Sequence, residues 1–331
     1  MFTGAADFHD ERLVAPAEFV PAIRESLQRG ADLLDHLDRP TAAGKIRQAL
    51  MGRHVVFREL DGIWGLRLFL DLGFARQLQE SGVTADAVIG TCVGELAAAV
   101  VAGLVTESEA LQVALLQADA LVTGAEGAMV AVDTDHDRFR RVLVETGLRQ
   151  AAANSDRHFA VTGDHRAVQR AREVFENAGD ICRLLEVEVA GHRPIHPRHW
   201  SRLRKLTEGL PLRMPTLPII SSVTAEPLTD GVPLDHWVRH LQQPILFGAA
   251  ARRLATEFPQ HSWRFIQFGP GRSVSRFLAA LPDVDADCIA TQPLPMAGSA
   301  EQLDALHLAV TALRPGPRPE DVPVTTCRTT L

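Results

Sequence analysis

The sequence predicts an α/β fold: a hydrolase-like large subdomain with a mostly parallel sheet, and an inserted ferredoxin-like small subdomain. Three observations predict it. The apolar run Ala87-Val88-Ile89 ends in Gly90-Thr91-Cys92-Val93-Gly94 and passes at once into an alanine-rich helical pattern. That is the strand–turn–helix layout of a nucleophile elbow, with cysteine at the corner where serine is usual. Between residues 127 and 192 the pattern runs β-α-β-β-α-β, the order of a ferredoxin-like module. Beyond it the α/β alternation resumes, and a buried strand ends in Gly269-Pro270-Gly271.

The elements follow in order. Residues 17–51 read as helical, with Phe19, Ile23, Leu27, Leu33 and Leu34 near a 3.6-residue period. A second helix is predicted over 56–81, then a strand at 87–90, the elbow and a helix to Gly103. Thr106 followed by Glu109 is a capping box opening another helix. In the insertion, Ala128–Val132, Arg149–Ala153, Phe159–Thr162 and Ile181–Val189 read as strands, and Asp135–Thr146 and Asp164–Ala178 as helices. A helix at 194–209, a strand at Leu217–Ser222, a helix through Trp237 and the strand from Arg264 complete the larger body. A helix at 300–313 and a Pro-rich tail close the chain. The large subdomain is thus expected at 1–126 and 193–292, the small one at 127–192, and the C-terminal helix and tail at 293–331.

The 331 residues are 46% hydrophobic, enough to bury a substantial core, and carry a net charge of −7 with acids and bases interspersed. No basic stripe suits nucleic acid, and no apolar run approaches the ~20 residues that span a bilayer. The first residues show neither the basic region nor the apolar core of a signal peptide, so a cytoplasmic protein is expected. Cys92, Cys182, Cys288 and Cys327 lie far apart, a spacing that suggests neither a metal site nor a disulfide framework.

Chemistry concentrates at the elbow. A cysteine there points at a helix N-terminus, whose unpaired N–H groups favour a thiolate and later an oxyanion. Gly-x-Cys-x-Gly by itself also suits a structural turn around a buried cysteine; the strand before it and the helix after it favour the nucleophile.

The order of motifs resembles the malonyl-CoA:acyl carrier protein transacylase family and the acyltransferase domains of polyketide synthases. The elbow with Glu95 is similar to that family's Gly-His-Ser-x-Gly-Glu. Residues 151–164 resemble its Asn-containing hairpin, and Val189-Ala190-Gly191-His192 its motif ending in the catalytic histidine. Ser221–Leu228 and Gly269-Pro270-Gly271 resemble two further signatures. The resemblance implies ping-pong acyl transfer on phosphopantetheine thioesters, with an acyl carrier protein as partner and no bound cofactor or metal. It assigns Cys92 as nucleophile and His192 as base, with His196 the rival. A main-chain carbonyl near His240 would orient the base, and the N–H groups of Val93 and Ala5 would hold the oxyanion. Thr91, Gln117, Asn154, Gly191 and Arg193 would touch substrate, although an asparagine in a hairpin, like Asn154, usually caps or turns the backbone.

Departures from the family narrow the substrate. Cysteine replaces serine, Thr91 replaces a histidine, and Ala5 stands in an altered N-terminal motif. The family's malonate-binding arginine falls at Gln117, or at Leu116 in the alternative register, and neither is charged. An unpaired buried carboxylate costs several kcal/mol, so a non-malonyl acyl group is expected. Arg193 is the other cation within reach. Two further functions stay open on the same residues: an acyl-thioester hydrolase, and a non-catalytic carrier-binding module.

Overall fold

The computed structural model describes residues 1–3, 11–124, 126–185, 189–259, 263–270 and 272–292. The predicted C-terminal helix and tail lie outside them. After a 3-10 helix at Glu11–Glu18 come α1 (Pro21–His36), α2 (Pro40–Leu50), α3 (Leu60–Glu80), β1 (Val88–Ile89), α4 (Val93–Val101) and α5 (Glu107–Val122). The single helix expected over 17–51 is two. Pro40 supplies no N–H and disfavours helical backbone at Arg39, so α1 ends and α2 starts with proline in its first turn. Asp38, at φ 59°, makes the corner between them. Thr106 caps α5 in the predicted capping box.

The insertion forms β2 (Ala128–Asp133), α6 (His136–Thr146), β3 (Arg149–Ala153), β4 (His158–Gly163), α7 (His165–Asn177) and β5 (Ile181–Leu184). Its sheet order is β3-β4-β2-β5, antiparallel throughout, which is the ferredoxin-like arrangement. Val130, Val132 and Val161 face Phe139, Phe175 and Val168 of α6 and α7. β5 is shorter than the predicted 181–189, and residues 186–188 lie outside the described set.

The chain continues through α8 (Pro197–Gly209), β6 (Ile219–Ile220), α9 (His236–Gln242), α10 (Phe247–Glu257), β7 (Trp263–Pro270), α11 (Ser273–Ala279) and β8 (Ala286–Gln292). β1 pairs parallel with β6, and β7 parallel with β8. Phe2 joins the two pairs by parallel bridges to Gly90 and Phe268, so the order across the sheet is β6, β1, Phe2, β7, β8. The main core packs α1, α3, α4 and α5 around Phe2, Leu34, Phe69, Phe74 and Trp237. α3 is apolar on nearly every side and runs through the middle of this layer. Its Arg67 and Asp71 form a fully buried ion pair (2.9 Å), and Arg67 also donates to Thr3 and to the Phe268 carbonyl, fixing the N-terminal segment to β7.

Candidate active site

The elbow is built by steric exclusion. A Cβ on Gly90 would lie 2.2 Å from the Gly94 carbonyl oxygen, and one on Gly94 2.5 Å from that of Phe2. Only glycine lets β1 turn into α4 against the Phe2 strand. Cys92 sits at the corner with φ 52° and ψ −134°. His192 has φ 54°, so both residues hold the left-handed backbone that L side chains avoid. Thr91, Cys92, Gly191, His192 and Asn154 all line one cavity of about 1530 Å³.

His192 is buried, and its Nδ1–H donates to the Gln243 carbonyl (2.9 Å), which leaves Nε2 as the basic nitrogen. Burial and the neighbouring His240 push its pKa down to about 4, against the smaller upward pulls of the Gln243 bond and Glu95. The imidazole is therefore neutral near pH 7, the form that accepts a proton. The orienting carbonyl, expected near His240, is that of Gln243. His240 serves the other partner: its Nε2–H donates to the Cys92 carbonyl (2.8 Å).

Glu95 ties the elements together. Its Oε1 accepts from His236 Nε2 (2.9 Å), and its Oε2 from the Ser222 N–H (2.9 Å) and hydroxyl (2.6 Å). Burial alone would raise its pKa. The bond from His236, the proximity of the His236 and His240 rings and the Ser222 bond outweigh burial and hold it at about 2. One carboxylate thus joins α4 to the loop after β6 and to α9, the helix that presents His240 and is capped by Gln243.

Other predicted residues fall differently. Gln117 is fully buried and absent from the cavity wall; its amide donates to the Trp237 carbonyl (2.8 Å) and contacts His240 Nδ1 (3.1 Å). Arg193 does not line the cavity either. His196 is exposed and caps α8. Val93 N–H opens α4 and has no backbone acceptor among the described residues. Ala5 lies outside the described residues. His236, Ser222 and Gln243 were not singled out by sequence, although polar residues recurring in the apolar segments 219–222 and 236–243 signal buried partners. Among the described residues no group of three or more His, Cys, Asp or Glu could hold a metal ion, and no helix is long and apolar enough to cross a membrane.

Comparison with known proteins places this geometry. The model of the acyl transferase domain matches residues 67–262. Polyketide synthase GfsA of Streptomyces halstedii is 36% identical over 181 residues, 53% of this chain but 2% of that protein. The phenolphthiocerol synthesis polyketide synthase Pks15/1 of Mycobacterium marinum is 28% identical over 277 residues, 82% of this chain and 12% of its own length. The chain therefore spans a small part of these relatives. Among solved structures, the acyl transferase domain of SpnD, in complex with 2-(pent-4-yn-1-yl)malonyl, superposes with TM-score 0.79 at 26% identity, over 94% of this chain and 75% of that one. A loading acyltransferase from the avermectin modular polyketide synthase shares the fold, with TM-score 0.82 at 22% identity over 95% of this chain and 98% of that one. With the family model matching more than half of its length, this chain belongs to the acyl transferase domain family, to which the acyltransferase domains of polyketide synthases belong.

Proposed function

We propose that this chain transfers a neutral, non-malonyl acyl group between carrier thioesters through an acyl-Cys92 intermediate, with His192 as general base. The observation that carries the reading is the shared cavity of Cys92 and His192, both with positive φ, the His192 ring oriented by the Gln243 carbonyl and the Cys92 carbonyl bonded by His240. In the first half-reaction the Cys92 sulfur attacks the donor carbonyl as its proton passes to His192 Nε2. The tetrahedral oxyanion meets Val93 N–H at the start of α4, and the segment holding Ala5 would supply a second donor. When the carbon–sulfur bond to the donor breaks, His192 returns the proton to the leaving thiol. The acceptor thiol reverses the sequence. Both ends of the exchange are thioesters, so the transfer is nearly balanced.

The acyl preference rests on the walls. Behind the wall, Gln117 offers no charge to a carboxylate, and its amide nitrogen is already engaged. The middle of the sheet face toward the cavity carries small apolar side chains: Met129 stands beside Gly191, and Ala152, Ala160 and Ala131 lie directly across β3, β4 and β2. Small side chains there leave room for an alkyl group. Arg58, Arg202 and Arg276, cavity residues without an ion pair among the described residues, suit the phosphate of a pantetheine arm and an acidic carrier.

The test is the intact mass of the protein after exposure to malonyl, acetyl, hexanoyl and octanoyl thioesters, on coenzyme A and on a carrier. The expected result is one adduct, lost in Cys92→Ala, forming with neutral donors about two to four orders of magnitude faster than with malonyl. Acylation elsewhere, or a preference for malonyl, overturns the reading. Adding a second carrier distinguishes transfer from release to water.

A further inference from the structure

The Cys92 carbonyl sits between two donors. Glu95 N–H reaches it at 2.8 Å within the first turn of α4, and His240 Nε2 at 2.8 Å from α9. A carbonyl can accept only, so His240 carries its proton on Nε2, and in the neutral ring Nδ1 is then the lone-pair nitrogen. The partner of Nδ1 settles the same question independently. Gln117 Nε2 is anchored as a donor by the Trp237 carbonyl at 2.8 Å, and the same amide nitrogen faces His240 Nδ1 at 3.1 Å. Flipping the amide would set two acceptor oxygens against each other. All three groups are buried: Gln117 and Trp237 at 0% exposure and His240 at 2%.

We propose that Gln117 and His240 act as a positioning pair, in which Gln117 fixes the tautomer of His240 and His240 holds the nucleophile's peptide in its left-handed conformation. Neither touches the acyl group. The glycines on either side of Cys92 permit the corner but do not select it; the His240 bond selects it, aiming the sulfur into the cavity with His192 instead of letting the peptide relax. α5 thereby reaches the elbow through α9, and the position where the family's arginine is expected has an internal task in this chain. The inference rests on Cys92 being the acylated residue.

The experiment has two arms. In the intact wild-type protein, the imidazole 15N shifts of His240, assigned by their loss in His240→Asn, report the tautomer without requiring any variant to be active. The expected signature is a protonated Nε2 and a lone-pair Nδ1, with the distinction lost in Gln117→Leu. In the second arm, Cys92 acylation with a neutral donor is measured in His240→Phe, His240→Asn and Gln117→Leu, with circular dichroism as the check on folding. Misplacing the sulfur should lower the maximal acylation rate about tenfold to a hundredfold with little change in the half-saturating donor concentration. His240→Asn, which keeps an N–H donor, should recover part of the loss seen in His240→Phe. An Nδ1–H tautomer in the wild type overturns the proposal. So does a folded His240→Phe that acylates at the wild-type rate. A wild type that no donor acylates would instead overturn the reading of Cys92 as the acylated residue, leaving the tautomer measurement standing on its own.

Discussion

Cys92 and His192 are two of only four non-glycine residues with positive φ among those described, the others being Asp38 and Ala225. Each such conformation costs about 1–3 kcal/mol and persists because surrounding bonds over-determine it. Both residues were legible in the sequence, because an elbow and a motif ending in histidine are local patterns. The partners of Gln117, which the sequence suggested as a substrate contact, were not: Trp237 and His240 lie more than a hundred residues away, which no spacing reveals. At pH 7, His192→Ala should slow Cys92 acylation by about a hundredfold or more, whereas His196→Ala, at an exposed helix cap, should leave the rate near wild type. Intact-mass time courses on both variants check this. The lowered pKa of His192 also predicts how stability depends on pH. Between the usual 6.5 and about 4, the unfolded chain binds a proton that the native one refuses. Its contribution is thus complete above pH 6.5 and is lost as pH falls toward 4; Glu95 extends the loss from 4.5 toward 2. Denaturant midpoints across that range should fall with pH, and less steeply in His192→Gln between 6.5 and 4.

Helices with strong periodicity and clear caps matched expectation: α5 with its capping box, and α6 and α7 with aspartate caps. Where the boundaries moved, proline decided, at Pro40 and again at Pro197, which starts α8 later than residue 194. α10, α11 and β8 were not anticipated. α10 had a signal, with Phe247, Ala250, Ala251 and Leu254 at helical spacing. α11 has only 7 residues, and β8 mixes polar and apolar residues without alternation, so local pattern was too weak for either. The sheet face of the insertion offers a test of the acyl preference. Ala160 stands between Ala131 and Ala152 on neighbouring strands, with all three on the cavity wall. Ala160→Leu should leave acetyl transfer to Cys92 nearly intact and slow octanoyl transfer by about tenfold or more, since forcing a longer chain into a filled site costs about 1–3 kcal/mol of overpacking. Rates measured with the two donors decide it; an equal loss for both would place the pantetheine arm, not the acyl chain, on this wall. Glu95→Ala acts between elements. It leaves His236 buried without its partner and should destabilise the chain by about 3–5 kcal/mol, read from the denaturant midpoint.

At the scale of the whole molecule, the insertion's order was readable because its six elements are contiguous, whereas the joining of the parallel sheet was not. Phe2 bridges Gly90 and Phe268, and Thr3 donates to the Phe268 carbonyl across 265 positions of sequence. Such pairing has no local signature, only the general rule that parallel strands need distant partners. That stitch sets an order of events. The wall against which Gly94 closes is the Phe2 carbonyl, and the segment carrying it is held on its other side by Arg67 and Thr3 at the Phe268 carbonyl of β7. During synthesis the ribosome delivers Cys92 long before Phe268, so the thiol proposed as nucleophile spends that interval on a corner braced from one side. Contacts this distant in sequence form late and slowly. In refolding, helical signal should therefore recover before the donor-acylated form of Cys92 can be trapped, the two traces separating in time. If Cys92 is the acylated residue, a newborn chain holds it idle until β7 arrives, a natural safeguard against acylating a site that is not yet assembled.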